Sequence, residues 1–146
     1  MNILYTLGYT GIEPSQLLSL AQQQRAIVLD VRYSPRSRVP QWNGMELARL
    51  FGQRYEHLPA LGNVNYKSGG PIEINMPTVG VQQVVSILTG QSVILLCVCP
   101  DVETCHRKIV AEMVKAAYVC EVIHLDKGDF IEEDQKPDKP QQLDLF

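Results

Sequence analysis

The sequence predicts one three-layer α/β domain: a mostly parallel sheet of about five strands with helices on both faces. Short apolar, β-branched runs recur along the chain and alternate with stretches of helical apolar spacing, the pattern of a parallel sheet covered on both sides. The strongest run, Val93-Ile94-Leu95-Leu96-Cys97-Val98, has no polar alternation and is too short to span a bilayer, so it reads as a central buried strand. A chain of 146 residues with 45% hydrophobic and 20% charged residues has enough apolar surface for one core and little for a second.

The first unit is Ile3-Leu4-Tyr5-Thr6-Leu7, a β-prone run stopped by Gly8-Tyr9-Thr10-Gly11. The two glycines permit a tight turn and a close backbone approach to something bound, which makes Gly8, Tyr9 and Thr10 candidate ligand residues. Pro14 suits a first helical turn, and Leu17, Leu18 and Ala21 supply an apolar face to about Gln24. A second buried strand, Ala26 to Val31, carries Asp30 and Arg32 at its C-terminal end. Unpaired buried charge is costly, so this pair reads either as site residues or as a structural ion pair fixing the next loop.

That loop, Tyr33 to Gly44, is rich in Pro, Ser and Arg and long for a compact domain. Arg36 and Arg38 are candidate phosphate ligands and Trp42 a candidate base-stacking residue; the alternative for Trp42 is a plug at the domain edge. A short helix from Glu46 to Phe51 precedes the brief strand Tyr55-Glu56-His57-Leu58, whose His57 ends its strand as Asp30 ends the second. Pro59 to Pro71 is a turn-rich excursion of the length expected for a lid or binding loop. Val81, Val84, Val85 and Leu88 then give helical spacing up to Gly90.

The central strand leads through Cys99-Pro100-Asp101-Val102-Glu103-Thr104 into a helix opened by Cys105-His106-Arg107. A helix start offers free N–H groups and a positive dipole end, and Arg107 adds a bidentate anion donor. A thiol in that field ionises more readily, so Cys105 reads either as a nucleophile, with His106 or His57 as base and Asp30 in the catalytic set, or as a small apolar residue packing the core. Cys97 reads as strand packing or as a further cleft residue. Cys120 to Leu125 supplies the fifth strand.

From Asp126 to Phe146 seven acidic residues face three lysines, so this stretch carries −4 and the other 125 residues carry +1. The expected organisation is one α/β domain over residues 1–125 and an acidic, disordered tail over 126–146. The body is not basic enough to hold duplex DNA by charge alone. With no basic, apolar leader at the N-terminus the expected location is cytoplasmic, with no membrane partner and reduced cysteines.

The series Gly8-Tyr9-Thr10, Asp30-Val31-Arg32 with Ser34-Pro35-Arg36-Ser37, His57-Leu58-Pro59, and Cys97 followed by Cys105-His106-Arg107 resembles the prokaryotic family called domain of unknown function 488. The resemblance implies a compact α/β domain whose motif residues line one cleft, and no established reaction. Where that family has an acidic residue shortly after its first Cys, this chain has Val98-Cys99-Pro100. The layout is also similar to rhodanese-like domains, which have Asp-Val-Arg at a strand end and a Cys in a strand-to-helix loop. Gln142-Leu143-Asp144-Leu145-Phe146 resembles the bacterial sliding-clamp-binding pentapeptide, which implies the clamp as partner and a role in DNA replication or repair.

Three functions follow as expectations. One is an enzyme or processing factor acting on nucleic acid or a nucleotide. The second is a non-catalytic module that binds the same ligands. The third and weakest is a metal site built from Cys97, Cys99, Cys105 and His106, whose spacing lacks paired Cys-x-x-Cys and whose Cys97 is expected to point into the sheet. Neither cofactor nor metal is therefore expected.

Overall fold

The computed structural model describes residues 2–130. Its strands and helices follow the expected order: β1 Ile3–Gly8, α1 Pro14–Gln24, β2 Ala26–Asp30, α2 Gly44–Phe51, β3 Tyr55–His57, α3 Pro77–Leu88, β4 Ser92–Cys97, α4 His106–Ala117 and β5 Glu121–Leu125. The five strands form one parallel sheet in the order β3-β2-β4-β1-β5.

Alternation along the strands builds two cores. Leu4, Leu29, Val93, Leu95 and Cys97 point to the face covered by α3 and α4, where they meet Val84, Leu88, Val110 and Val114. Tyr5, Leu7, Val28, Ile94 and Leu96 point the other way, against Leu17 and Ala21 of α1 and Leu47 and Phe51 of α2. β4 is buried along its whole length. That explains why the run from Val93 has no polar partner pattern.

β1 and β4 are neighbours, yet the chain leaves β1 through α1 on one face and leaves β4 through α4 on the other. The loops after these two strands therefore part at the C-terminal edge of the sheet and leave a crevice between them. This is the switch point at which open α/β sheets hold ligands. The pentapeptide Gln142–Phe146 lies outside the described residues. Past β5 the chain makes one 3-10 turn, Lys127–Phe130, and Phe130 packs on the α1 side of the sheet with its carbonyl accepting from Gln16 Nε2 at 3.3 Å.

Candidate functional site

A cleft of about 800 Å³ opens at the crevice between the loops that follow β1 and β4. Its walls come from Tyr9–Glu13 after β1, from the arginine loop after β2, from Asn63, Tyr66 and Ile72 of the excursion after β3, and from Cys97–Cys99 with His106. The volume is in the range of small-molecule sites.

The arginine loop is folded by its own short bonds. Asn43 Oδ1 accepts from the Ser37 N–H at 2.7 Å, Ser37 Oγ accepts from the Val39 N–H at 3.1 Å, and the Gly44 N–H donates to the Pro35 carbonyl at 2.8 Å. This turn puts Arg36 and Arg38 on the cleft wall, both exposed. Arg32 also reaches the cleft, but its charge is already matched. Its Nε and Nη2 grip the two oxygens of Asp30 at 2.8 and 2.5 Å, with Arg32 6% and Asp30 0% exposed. The Tyr55 hydroxyl donates to the same carboxylate at 2.6 Å, and burial together with that negative charge pushes the phenol well above its ordinary range. Of the two readings of the pair, the geometry is that of a structural ion pair. Asp30 does not line the cleft, so it is not available as an acid or base there.

Trp42 is likewise committed. Its ring is buried and stacked on Tyr9, with centroids 4.3 Å apart and planes 10° from parallel, and its Nε1 donates to the Ile12 carbonyl at 3.2 Å. The expectation that Trp42 stacks on a base gives way to the alternative, a plug that fixes the β1 turn, because Tyr9 already covers one face of the indole. Tyr33 and Tyr66, 41% and 46% exposed, are the more accessible aromatic rings of the cleft wall, with Lys67 Nζ 5.9 Å from the Tyr66 centroid. Their rings form a tilted pair 6.1 Å apart. Gly8 also has a different partner from the one expected: a Cβ there would lie 1.6 Å from the Cys99 carbonyl oxygen, so the close approach is to the protein's own backbone. Thr10 Oγ1 donates to the Val98 carbonyl at 2.7 Å and ties the same two loops.

Of the three residues expected around Cys105, His106 stays beside the thiols, while Asp30 and His57 do not reach them. His57 Nε2 donates to the Arg32 carbonyl at 2.8 Å and lies outside the cleft, which takes it away from any thiol chemistry. Arg107 is 1% exposed; its Nε donates to Thr6 Oγ1 at 3.2 Å and its Nη1 to the Cys99 carbonyl at 3.0 Å. It braces the loop from below and is not presented to an anion in the cleft. Cys105 is buried as the N-cap of α4, and hydrogen bonds to the Cys97 and Cys99 thiols together with burial push its own thiol up. Hydrogen bonds from the Cys105 and Cys97 thiols, aided by the charges of His106 and Arg107, lower Cys99 instead. Cys99 is half-buried on the cleft wall.

The sulfurs of Cys97, Cys99 and Cys105 all lie within 4.8 Å of one another. His106 lies beside them: its Nδ1 is 3.7 Å from Cys97 Sγ, and its Nε2 donates to the Val31 carbonyl at 2.7 Å. Burial opposes a charge on this imidazole, but the Cys105 thiol and the Val31 carbonyl outweigh it and raise the ring's proton affinity. Cys97 does lie on a sheet face, as expected, but that face is the one on which α4 starts.

The model of a family described as Domain of unknown function DUF488 matches residues 15–68, a stretch running from α1 through the arginine loop and β3 into the excursion. The chain is similar to that family there; the match does not extend to Cys97–Arg107. No curated protein and no solved structure matches the chain. Among the described residues no helix is long and apolar enough to cross a membrane.

Proposed function

We propose that the cleft binds a phosphorylated ligand of nucleic-acid type, a nucleotide or a single-stranded DNA segment, and that the chain serves DNA replication or repair. Delivery would come from the bacterial sliding clamp docked on Gln142–Phe146. The observation that carries the ligand reading is the pair Arg36 and Arg38. Both are exposed on the wall of an 800 Å³ cleft, and neither is in an ion pair among the described residues. Two unmatched guanidinium groups two residues apart are suited to phosphate oxygens. Tyr33 and Tyr66 supply π-faces on the same wall, and stacking of a base on such a ring contributes about 1–3 kcal/mol. Single strands fit this combination better than duplex, because a body of net charge +1 lacks the broad positive surface that duplex binding uses.

The test is titration of the full chain with a short fluorescent single-stranded oligonucleotide over a range of salt. Two phosphate contacts on a single strand give a slope of log K against log salt of about −1.4 from this pair. Arg36→Ala/Arg38→Ala should weaken binding and flatten the slope by that amount. Native-like affinity and slope in the double variant would overturn the reading.

A further inference from the structure

We propose that Cys97, Cys99, Cys105 and His106 form a four-coordinate zinc site that ties the end of β4 to the start of α4. The placement follows from the chain. Cys97 and Cys99 are two apart where β4 runs out, so an extended backbone turns both to one side. The 3-10 turn Val102–Thr104 then brings the chain back so that Cys105 caps α4 and His106 opens it beside them.

Three observations point to a metal beyond the clustering of thiols. The first is distance. Zinc bonds of about 2.3 Å to sulfur and 2.0–2.1 Å to nitrogen in a tetrahedron put sulfurs about 3.8 Å apart and sulfur and nitrogen about 3.5 Å apart. The three sulfurs are already within 4.8 Å of each other, and Cys97 Sγ is 3.7 Å from His106 Nδ1. The three sulfurs can close on an ion by side-chain shifts, and the imidazole, already beside Cys97, would have to move toward the other two sulfurs to complete the set.

The second is the imidazole. A carbonyl only accepts, so the 2.7 Å contact to Val31 requires the hydrogen on Nε2 and leaves the Nδ1 lone pair on the side of Cys97 Sγ. A backbone carbonyl on the far ring nitrogen is the usual support of a metal-bound histidine.

The third is charge. Arg107 is 1% exposed, and its hydrogen-bond partners, Thr6 Oγ1 and the Cys99 carbonyl, are neutral; no carboxylate pairs with it among the described residues. A buried cation without a counter-charge is costly. Three thiolates around one divalent ion leave a net charge of −1 next to this guanidinium, which balances it.

Soft thiolates with one imidazole select zinc over magnesium or calcium, which take oxygen ligands. All four positions are filled by protein, as in structural sites, so the metal would hold the 98–105 wall of the cleft. The proposal stands apart from the ligand reading: a chain that binds DNA but no metal would sink only the former.

The experiment is metal analysis of the full chain purified without a chelating resin, followed by replacement of the metal with cobalt. The expected result is stoichiometric zinc and the visible spectrum of tetrahedral cobalt bound to thiolate. Cys105→Ser should lose both, and Cys120→Ser, a thiol outside the cluster, should keep both. Since Cys105 is a buried helix cap, Cys99→Ser at a half-exposed position serves as the second variant. It should fold as judged by circular dichroism and bind zinc weaker by at least about tenfold, the cost of losing even an outer-shell partner. A native chain that takes up neither zinc nor cobalt would overturn the proposal, and so would a disulfide among these thiols or native-like affinity in both serine variants.

Discussion

Replacing Arg32 by methionine isolates what the buried ion pair does. Asp30 has no exposed surface, and its oxygens have three partners: the Arg32 guanidinium, the Arg32 N–H at 3.2 Å and the Tyr55 hydroxyl. Arg32→Met keeps the stem volume and removes the only cation. Leaving one partner of a buried pair uncompensated costs about 3–5 kcal/mol. For a domain of this size each kcal/mol shifts the melting temperature by about 3–5 °C, so the variant should melt roughly 9–25 °C below the native chain. Urea unfolding of the native chain, Arg32→Met, Asp30→Asn and the double variant gives the coupling. If the pair acts as one unit, the double variant should lose less than the two single losses added together, by about 1–3 kcal/mol. A loss below about 1 kcal/mol for Arg32→Met, or strict additivity in the cycle, would refute the reading that this pair is structural.

Gly8→Ala should be among the most damaging small substitutions, because its Cβ would sit 1.6 Å from the Cys99 oxygen and backbone cannot rotate away. Overpacking and loss of the Arg107 bond to that carbonyl predict a loss of about 3 kcal/mol or more in urea unfolding. His124 should make the domain lose stability on acidification. Its burial and the nearby Arg107 and Lys108 lower its pKa against the opposing pull of Glu103 and Glu112, so below its ordinary value of 6.5 the unfolded chain takes up the proton first. The stability is present above pH 6.5 and falls away as the pH drops through the lower folded value. His124→Asn should flatten the stability profile between pH 7 and pH 5, and an unchanged profile would count against the assignment. Deleting Gln142–Phe146 should abolish binding to purified bacterial sliding clamp while leaving oligonucleotide binding intact; clamp binding that survives the deletion would remove the recruitment proposal.

The sheet was legible because its strands are runs of apolar residues bounded by glycine and proline, and such runs carry their own evidence in a few adjacent positions. The cleft followed from the same pattern, since the loops after the strands are where polar and charged residues gather. What did not follow were partners far apart in the chain. Trp42 reads as an open stacking surface until Tyr9, 33 positions earlier, is found against it. His106 stands next to Cys105 in the chain, but the partner that orients its ring, the Val31 carbonyl, is 75 positions away. Cys99 left a fainter local signal: with Cys97 it forms a Cys-x-Cys pair at a strand end, where alternate residues share a side. Asp30 and Arg32 were legible as a pair, and only their burial decides between site and brace. Tyr33 and Tyr66 lie on different loops, and no spacing in the sequence brings them together.

The most direct test of the central claim asks where a ligand binds. Trp42 is the only tryptophan in the chain and lines the cleft, so its emission reports on that site alone. Titration with a short single-stranded oligonucleotide should change Trp42 emission saturably, in step with the anisotropy of the labelled strand, and Arg36→Ala/Arg38→Ala should suppress both signals together. A strand that binds with no change at Trp42, and equally well to the double variant, would put the site elsewhere and contradict the account.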